Sequence, residues 1–300
     1  MTGFVCARKT IMVLALSATA GTVSHARAEE AGKAGEPQRV DTEFIFGFTS
    51  GADVGEVGER ELENQAASQW GKRDGSYVAG SEQLRFEASP VPNFRFEIGA
   101  PIAYYNISGV TGLDDRNQGA FNGVVTEFRY RLLNRDSAPF SLTLGVEPHW
   151  SRTDEVSGEP VSNYGGELSV ALDKELVKNL VFGALNLVYD PETTWSGIAG
   201  MWERDATLEF AAAITTQISP GLFVGAEARY LRKYDGIGLD SLLGQAFFVG
   251  PSAFLRLSKS LAISGAWGVQ IAGHATAVPA ALDLTNFTRQ QATLRLEYNF

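Results

Sequence analysis

The amino-acid sequence predicts an all-β chain, a transmembrane antiparallel up-and-down β-barrel of about twelve strands. Three observations carry this. Apolar and polar residues alternate with period two through segments of roughly ten residues, the length of a tilted strand crossing hydrocarbon. No run of about 18 apolar residues occurs and the mean hydropathy is only -0.06, which excludes membrane-spanning helices. Glycine (32) and aromatics (18 Phe, 9 Tyr, 5 Trp) are abundant beside 11 prolines, as short turns between strands with aromatic ends require. A soluble sandwich also yields single alternating strands, but about twelve in succession with Gly-rich connections favour closure in a membrane.

The strands are read in order. Thr42–Thr49 sets Phe44, Phe46 and Phe48 on one face, and Gln83–Ala88 sets Leu84, Phe86 and Ala88 against Arg85 and Glu87. Phe94–Tyr104 alternates Phe96, Ile98 and Ala100 with Arg95 and Glu97, and Val124–Leu132 alternates Phe128, Tyr130 and Leu132 with Glu127, Arg129 and Arg131. Phe140–Trp150 and Tyr164–Leu172 turn Glu147, His149 and Glu167 away from their apolar faces. Leu180–Tyr189 is apolar on both faces. Thr207–Ile218, Leu222–Tyr230, Gln245–Ser258 and Leu261–Ile271 follow, with Glu209, Glu227, Arg229 and Arg256 on the polar side. Gln291–Phe300 closes the set, with Leu294, Leu296, Tyr298 and Phe300 opposite Arg295 and Glu297.

Connections are expected to alternate, long ones facing outside and short ones the periplasm. The first long segment, Ser50–Gly75, opens with an acidic stretch from Gly51 to Gln65 and is read as an external loop. Asp114, Asp115, Asp154, Glu155 and Glu159 add external acidity that can engage lipopolysaccharide through divalent cations, or simply be solvated. Outward rings at strand ends form two interfacial girdles: Phe44, Phe94, Phe140, Tyr298 and Phe300 on the periplasmic side, and Tyr104, Trp150, Tyr164, Tyr230 and Phe247 outside.

At the N-terminus, Arg8 and Lys9 precede the apolar stretch Ile11–Ala20 and the small-residue site Ala26-Arg27-Ala28. This is the layout of a secretory signal peptide over residues 1–28, cut before Glu29, followed by a disordered stretch 29–40 and a barrel domain 41–300. The lone Cys6 lies in the leader, so the mature chain has no thiol chemistry. The formal charge of -10, more negative once Arg8, Lys9 and Arg27 are removed, disfavours nucleic acid as a partner.

The final strand, apolar on one side and ending Tyr298-Asn-Phe300, resembles the C-terminal signal of Gram-negative outer-membrane β-barrel proteins. The resemblance implies outer-membrane lipid, lipopolysaccharide and the barrel assembly machinery as partners. The segments Asn186–Glu192 and Ala226–Leu231 are similar to those of uncharacterised proteobacterial barrels sometimes called transporters, which implies no substrate.

By parity, Arg85, Glu87, Arg95, Glu97, Glu127, Arg129, Arg131, Glu147, His149, Glu167, Glu209, Glu227, Arg229, Arg256, Arg295 and Glu297 point into the lumen. Pairing across the Ser89–Asn93 turn can set Arg85 opposite Glu97 and Glu87 opposite Arg95. These side chains make either a polar path for small solutes or an ion-pair network that fills the barrel and leaves it a structural or surface-interaction element. The pair His149 and Ser151 resembles that of outer-membrane phospholipase, which would imply a lipid-active hydrolase. Here Val146, Pro148 and Trp150 take the outward positions, the pair turns inward, and no Asn partner follows, so no catalytic set is expected. No zinc spacing, phosphate loop or nucleotide fingerprint occurs, so no metal or cofactor is expected either.

Overall fold

A computed structural model describes residues 39–197 and 200–300. The expected leader, its Cys6 and nearly all of the 29–40 stretch lie outside the described residues.

Among the described residues thirteen strands form: β1 (Arg60–Trp70), β2 (Ser76–Val91), β3 (Phe94–Ser108), β4 (Arg116–Phe121), β5 (Val124–Leu133), β6 (Ser141–Thr153), β7 (Pro160–Val177), β8 (Val181–Ser196), β9 (Met201–Ser219), β10 (Leu222–Asp235), β11 (Ser241–Arg256), β12 (Leu261–Ala275) and β13 (Gln290–Asn299). All pairings are antiparallel between sequence neighbours except that β3 pairs with both β4 and β5, and β13 returns to β1. The short β4 and β5 lie end to end beside β3, so the wall closes as twelve staves through β5, and β4 pairs with β3 alone. Closure of β13 on β1 pairs both sides of the remaining staves, as a spanning sheet requires in hydrocarbon.

The outer face carries the apolar half of each alternation: Leu84, Ile98, Ile102, Leu185, Ile214 and Leu294 are all exposed. Such a surface is untenable in water and natural against lipid tails. Phe94, Tyr164, Trp195, Trp202, Tyr298 and Phe300 stand near its two ends, with Trp195 and Trp202 in ring contact at 5.4 Å.

Two sequence expectations need correction. Connections do not divide into long and short, because the strands run past the lipid-sized segments. Residues 236–240 make a brief turn at the upper rim, while 134–140 is a longer connection at the lower rim. Register also differs: a bulge between Ala88 and Val91 sets Glu87 opposite Glu97 and Arg85 opposite Gly99. The charges still meet diagonally, with Arg85 Nη1 3.0 Å from Glu97 Oε2 and Arg95 paired with Glu87.

The largest departure is Thr42–Thr49. It is no wall strand; it lies inside the barrel, with Thr42, Glu43, Ile45, Phe46 and Thr49 all at most 2% exposed. The stretch read as an external acidic loop splits accordingly. Gly51–Val54 is buried beside it in the lumen, and Arg60–Trp70 is the true first strand. Phe44 therefore leaves the girdle and stacks under two guanidinium groups, Arg95 and Arg295, each 5.1 Å from its ring.

Candidate functional site

The lumen has two storeys. In the lower one, residues 39–59 run in from the rim, turn at Gly47–Gly51 and return to β1. Apolar packing and polar clamps hold them on opposite sides. Inward Phe182, Ala184, Ala213, Phe223, Phe254 and Ala262 form an apolar wall for Ile45 and Phe46. Gly47 admits close contact with β12, since a Cβ there would lie 2.1 Å from that of Ala266.

Glu227 grips the turn of the segment. Its carboxylate accepts N–H bonds from Gly47, Phe48 and Thr49 at 2.5, 2.9 and 2.8 Å, and the Thr49 hydroxyl at 3.0 Å. One carboxylate thus satisfies three backbone donors of the turn. Asn186 takes the next N–H, from Ser50 at 2.6 Å, and donates back to its carbonyl. Asp173 accepts from the Ala52 N–H at 2.7 Å and from the Thr42 hydroxyl at 2.5 Å.

Arginines hold the other side. Asp53, 1% exposed, receives Arg39 at 2.5 Å, Arg131 at 3.0 Å and Arg135 at 2.7 Å. Burial alone would favour its neutral form, but Arg135 and Arg39 outweigh this and hold the carboxyl below its ordinary 3.8. Arg129 donates to Glu43 at 2.8 Å and to the Gly51 carbonyl at 2.5 Å, and Arg95 also pairs with Glu43. Asp41 behaves oppositely: burial and the adjacent Asp53 push it up to about 6.

Above the segment lies a cavity of about 440 Å³, floored by Phe48 and lined by Glu147, His149, Ser151, Glu155, Asn163, Asp190, Glu192, Arg229 and Gln291 among others. Arg229 is fully engaged, with both Glu209 oxygens at 2.7 Å, Gln291 at 2.8 Å and the Phe48 ring at 4.4 Å. His149 Nε2 lies 3.4 Å from Glu192 Oε1, which also accepts the Asn163 amide at 3.0 Å. His149 and Ser151 thus face the cavity, away from lipid. Over the cavity's rim the 276–289 connection folds back, seating Phe287 against Leu231, Ala246 and Phe248.

The storeys are joined by a rung of acids. Glu61 stands opposite Glu87, Glu87 opposite Glu97, and Glu97 opposite Glu127. The same register aligns Glu127 with Glu147, directly pairs Glu147 with Glu167, and aligns Glu167 with Asp190. Because barrel strands tilt, the rung climbs from the second residue of β1 to the tenth of β8. Like charges facing each other are unfavourable without cations between them. Below, those cations are present: Arg95 sits 3.2 Å from both Glu61 and Glu97 and pairs with Glu87, and Arg85 reaches Glu97 and Glu147 at 3.0 Å and Glu127 at 3.6 Å. At the top, the side chains of Glu167 and Asp190 make no ion pair among the described residues, and Asp190 Oδ1 has no hydrogen-bond partner among them.

The remaining residues anticipated from sequence are placed as follows. Arg295 pairs with Glu63 at 2.8 Å, Glu297 is buried in the lower lumen, and Arg256 is exposed at the lower rim over Phe254. Sequence reasoning missed Glu43, Asp53, Glu61, Glu63, Arg135, Asp173, Asp190 and Glu192. The available signal was the doubly apolar strand around Phe182, since an inward phenylalanine demands an apolar partner inside the barrel.

Among solved structures, an outer membrane channel from Pseudomonas putida F1 superposes with a TM-score of 0.58 at 12% identity, covering 83% of this chain and 98% of that one. The NanC porin (TM-score 0.47, 13% identity, 80% and 100% covered) and LpxR from Salmonella typhimurium (0.45, 11%, 80% and 100%) are also similar. At such identities the likeness is one of fold. No curated protein matches the sequence. Residues 38–300 match a family of unknown function, DUF6662, and the chain belongs to that family.

Proposed function

We propose that this chain is an outer-membrane barrel that admits small solutes from outside into an acidic vestibule and passes them when its own N-terminal segment yields. The observation that carries the reading is the division of the lumen. The upper storey is an open polar cavity of about 440 Å³, and the lower is filled by residues 39–59, a part of the chain not built into the wall. A barrel of twelve staves lies between those filled by wall side chains and those with an aqueous channel, so an inserted segment decides whether it conducts. The rival is a permanently closed barrel serving structure or surface interaction. Liposomes carrying a variant without residues 29–59 should take up small solutes several-fold faster than those carrying the full chain. Equal, negligible uptake by both would favour the rival.

The lower rim, where the segment is anchored, is assigned to the periplasm. Tyr298 and Phe300 stack there, 6.2 Å apart and outward-facing, where assembly machinery could read them. Deleting Phe300 should lower outer-membrane levels while leaving secretion intact, and normal levels would refute that role.

A further inference from the structure

We infer that two copies of this chain meet wall to wall across the outward face of β1 and β2, paired reciprocally through Asn64 and Glu82. The ground is a charge that faces the wrong solvent. Between the two aromatic girdles the outward positions carry apolar or neutral residues, and Glu82 is their one charged side chain among the described residues. Arg60, Arg152, Lys174, Arg204 and Arg232 share the outward parity but stand close to the ends of their strands. Glu82 lies on the same face as the exposed Leu84 and Phe86, in register with Ala66 on β1 and Ile102 on β3. Ile102 falls between Phe94 and Tyr104, rings of the lower and upper girdles, so the carboxylate sits at hydrocarbon depth. A carboxylate facing lipid tails is unfavourable, and ionisable groups at that depth are normally turned onto protein.

Asn64, outward on β1, supplies one donor: its Nδ2 donates to Glu82 Oε1 at 3.1 Å. An amide carries two N–H groups and a carboxylate two oxygens. One N–H of Asn64 and Oε2 of Glu82 are therefore left without a hydrogen-bond partner among the described residues. The spare donor and the spare acceptor lie side by side, so the patch is complementary to itself. A two-fold axis along the membrane normal lets each Asn64 donate to the other copy's Glu82, which is the isologous contact of a symmetric dimer. In lipid no hydrophobic drive brings walls together, and association rests on close packing and hydrogen bonds. The patch allows close approach. Ala66, Ser68 and Gly80 are small, and Tyr104 lies flat over Gly80, where an added Cβ would be 2.4 Å from the Tyr104 Oη. That hydroxyl donates to the Ala67 carbonyl at 3.3 Å. The opposite wall has no such pair, with Leu185, Phe210 and Ile214 exposed there. This contact is independent of the lumen and of any solute path.

The test is thiol crosslinking in membranes of expressing cells, with the full chain carrying Cys6→Ser so that each introduced thiol stands alone. With a short bismaleimide, Ser68→Cys should give a species of twice the chain's mass, and Leu185→Cys on the far wall should not. Adding Asn64→Leu/Glu82→Leu, which suits a lipid face, should lower the Ser68→Cys crosslink about tenfold or more. The heat-modifiable gel shift of the folded barrel should persist in that variant. If it fails to fold, the comparison of the two single-cysteine chains still decides. No crosslink at Ser68→Cys, equal crosslinking at both positions, or an undiminished crosslink in the folded leucine variant would each overturn the contact. So would a Ser68→Cys adduct with a different protein in place of a second copy.

Discussion

The two storeys of the lumen are built from the same strands and the same acid rung, yet one is packed by residues 39–59 and the other holds a cavity of about 440 Å³ among the described residues. Below, Arg85, Arg95 and Arg129 stand among the glutamates, and Arg131 and Arg135 reach Asp53. Glu43, Glu63, Glu87, Glu97, Asp53 and Asp173 thereby meet cations, while Glu227 is satisfied by backbone N–H groups, and the N-terminal segment seats in a largely neutralised space. Above, Glu192 has His149 and Lys233 beside it, but Glu167 and Asp190 have no ion pair among the described residues, and residues 39–59 reach only as far as the Phe48 floor. Whether a barrel lumen closes thus depends less on its diameter than on whether its wall charges are answered from within.

The strongest way to break this contrast is to remove an answering charge. Asp53→Asn leaves Arg39, Arg131 and Arg135 clustered without their shared anion. It should weaken seating of the 39–59 segment by about 3–5 kcal/mol, the usual loss when one member of a buried ion pair is removed. Protease nicking of the segment in the folded barrel measures this, and unchanged resistance would contradict the assignment.

Next in size is the apolar contact. Phe46→Ala empties the pocket formed by Phe182, Phe223 and Phe254 and should cost about 3 kcal/mol of the same seating, with the wall's heat-modifiable gel shift unaltered. A lowered unfolding temperature of the whole barrel would instead make the segment part of the wall's own core.

Acid should act in two opposed steps. Asp41 has its pKa raised to about 6 in the docked state, so protonating it between pH 7 and 5 removes a buried charge and tightens the segment. Asp53 is depressed below 3.8, so its contribution is fully present above that value and is lost only as pH falls through the lowered pKa. Proteolysis of the segment should therefore slow slightly from pH 7 to 5. Release between pH 7 and 5 would mean the arginine clamp is not what holds it.

Much of the wall was legible because strand periodicity is a local property: the alternation from Gln83 to Phe300 places each lumen charge on the inner face without knowledge of its partners. The N-terminal error has a physical cause. Thr42-Glu-Phe-Ile-Phe-Gly-Phe-Thr49 alternates as well as any wall strand, since burying rings against an apolar lumen wall leaves the same trace as burying them in lipid. The true first strand has Asn64 and Ser68 on its outward parity beside Leu62 and Trp70, which blurs its period. Asp53 and Asp173 could not be singled out, because their partners lie far along the chain, Asp173 acting on Thr42 and Ala52.

The central claim, that residues 39–59 close an otherwise passable lumen, is tested most directly by single-channel recording in planar bilayers of the full chain and of the chain lacking that segment. The account predicts a silent or briefly flickering full chain and long-lived open steps from the deletion variant, with cations preferred at low salt because the exposed rung is acidic. Matching silence from a deletion variant that still shows the folded gel shift would contradict it.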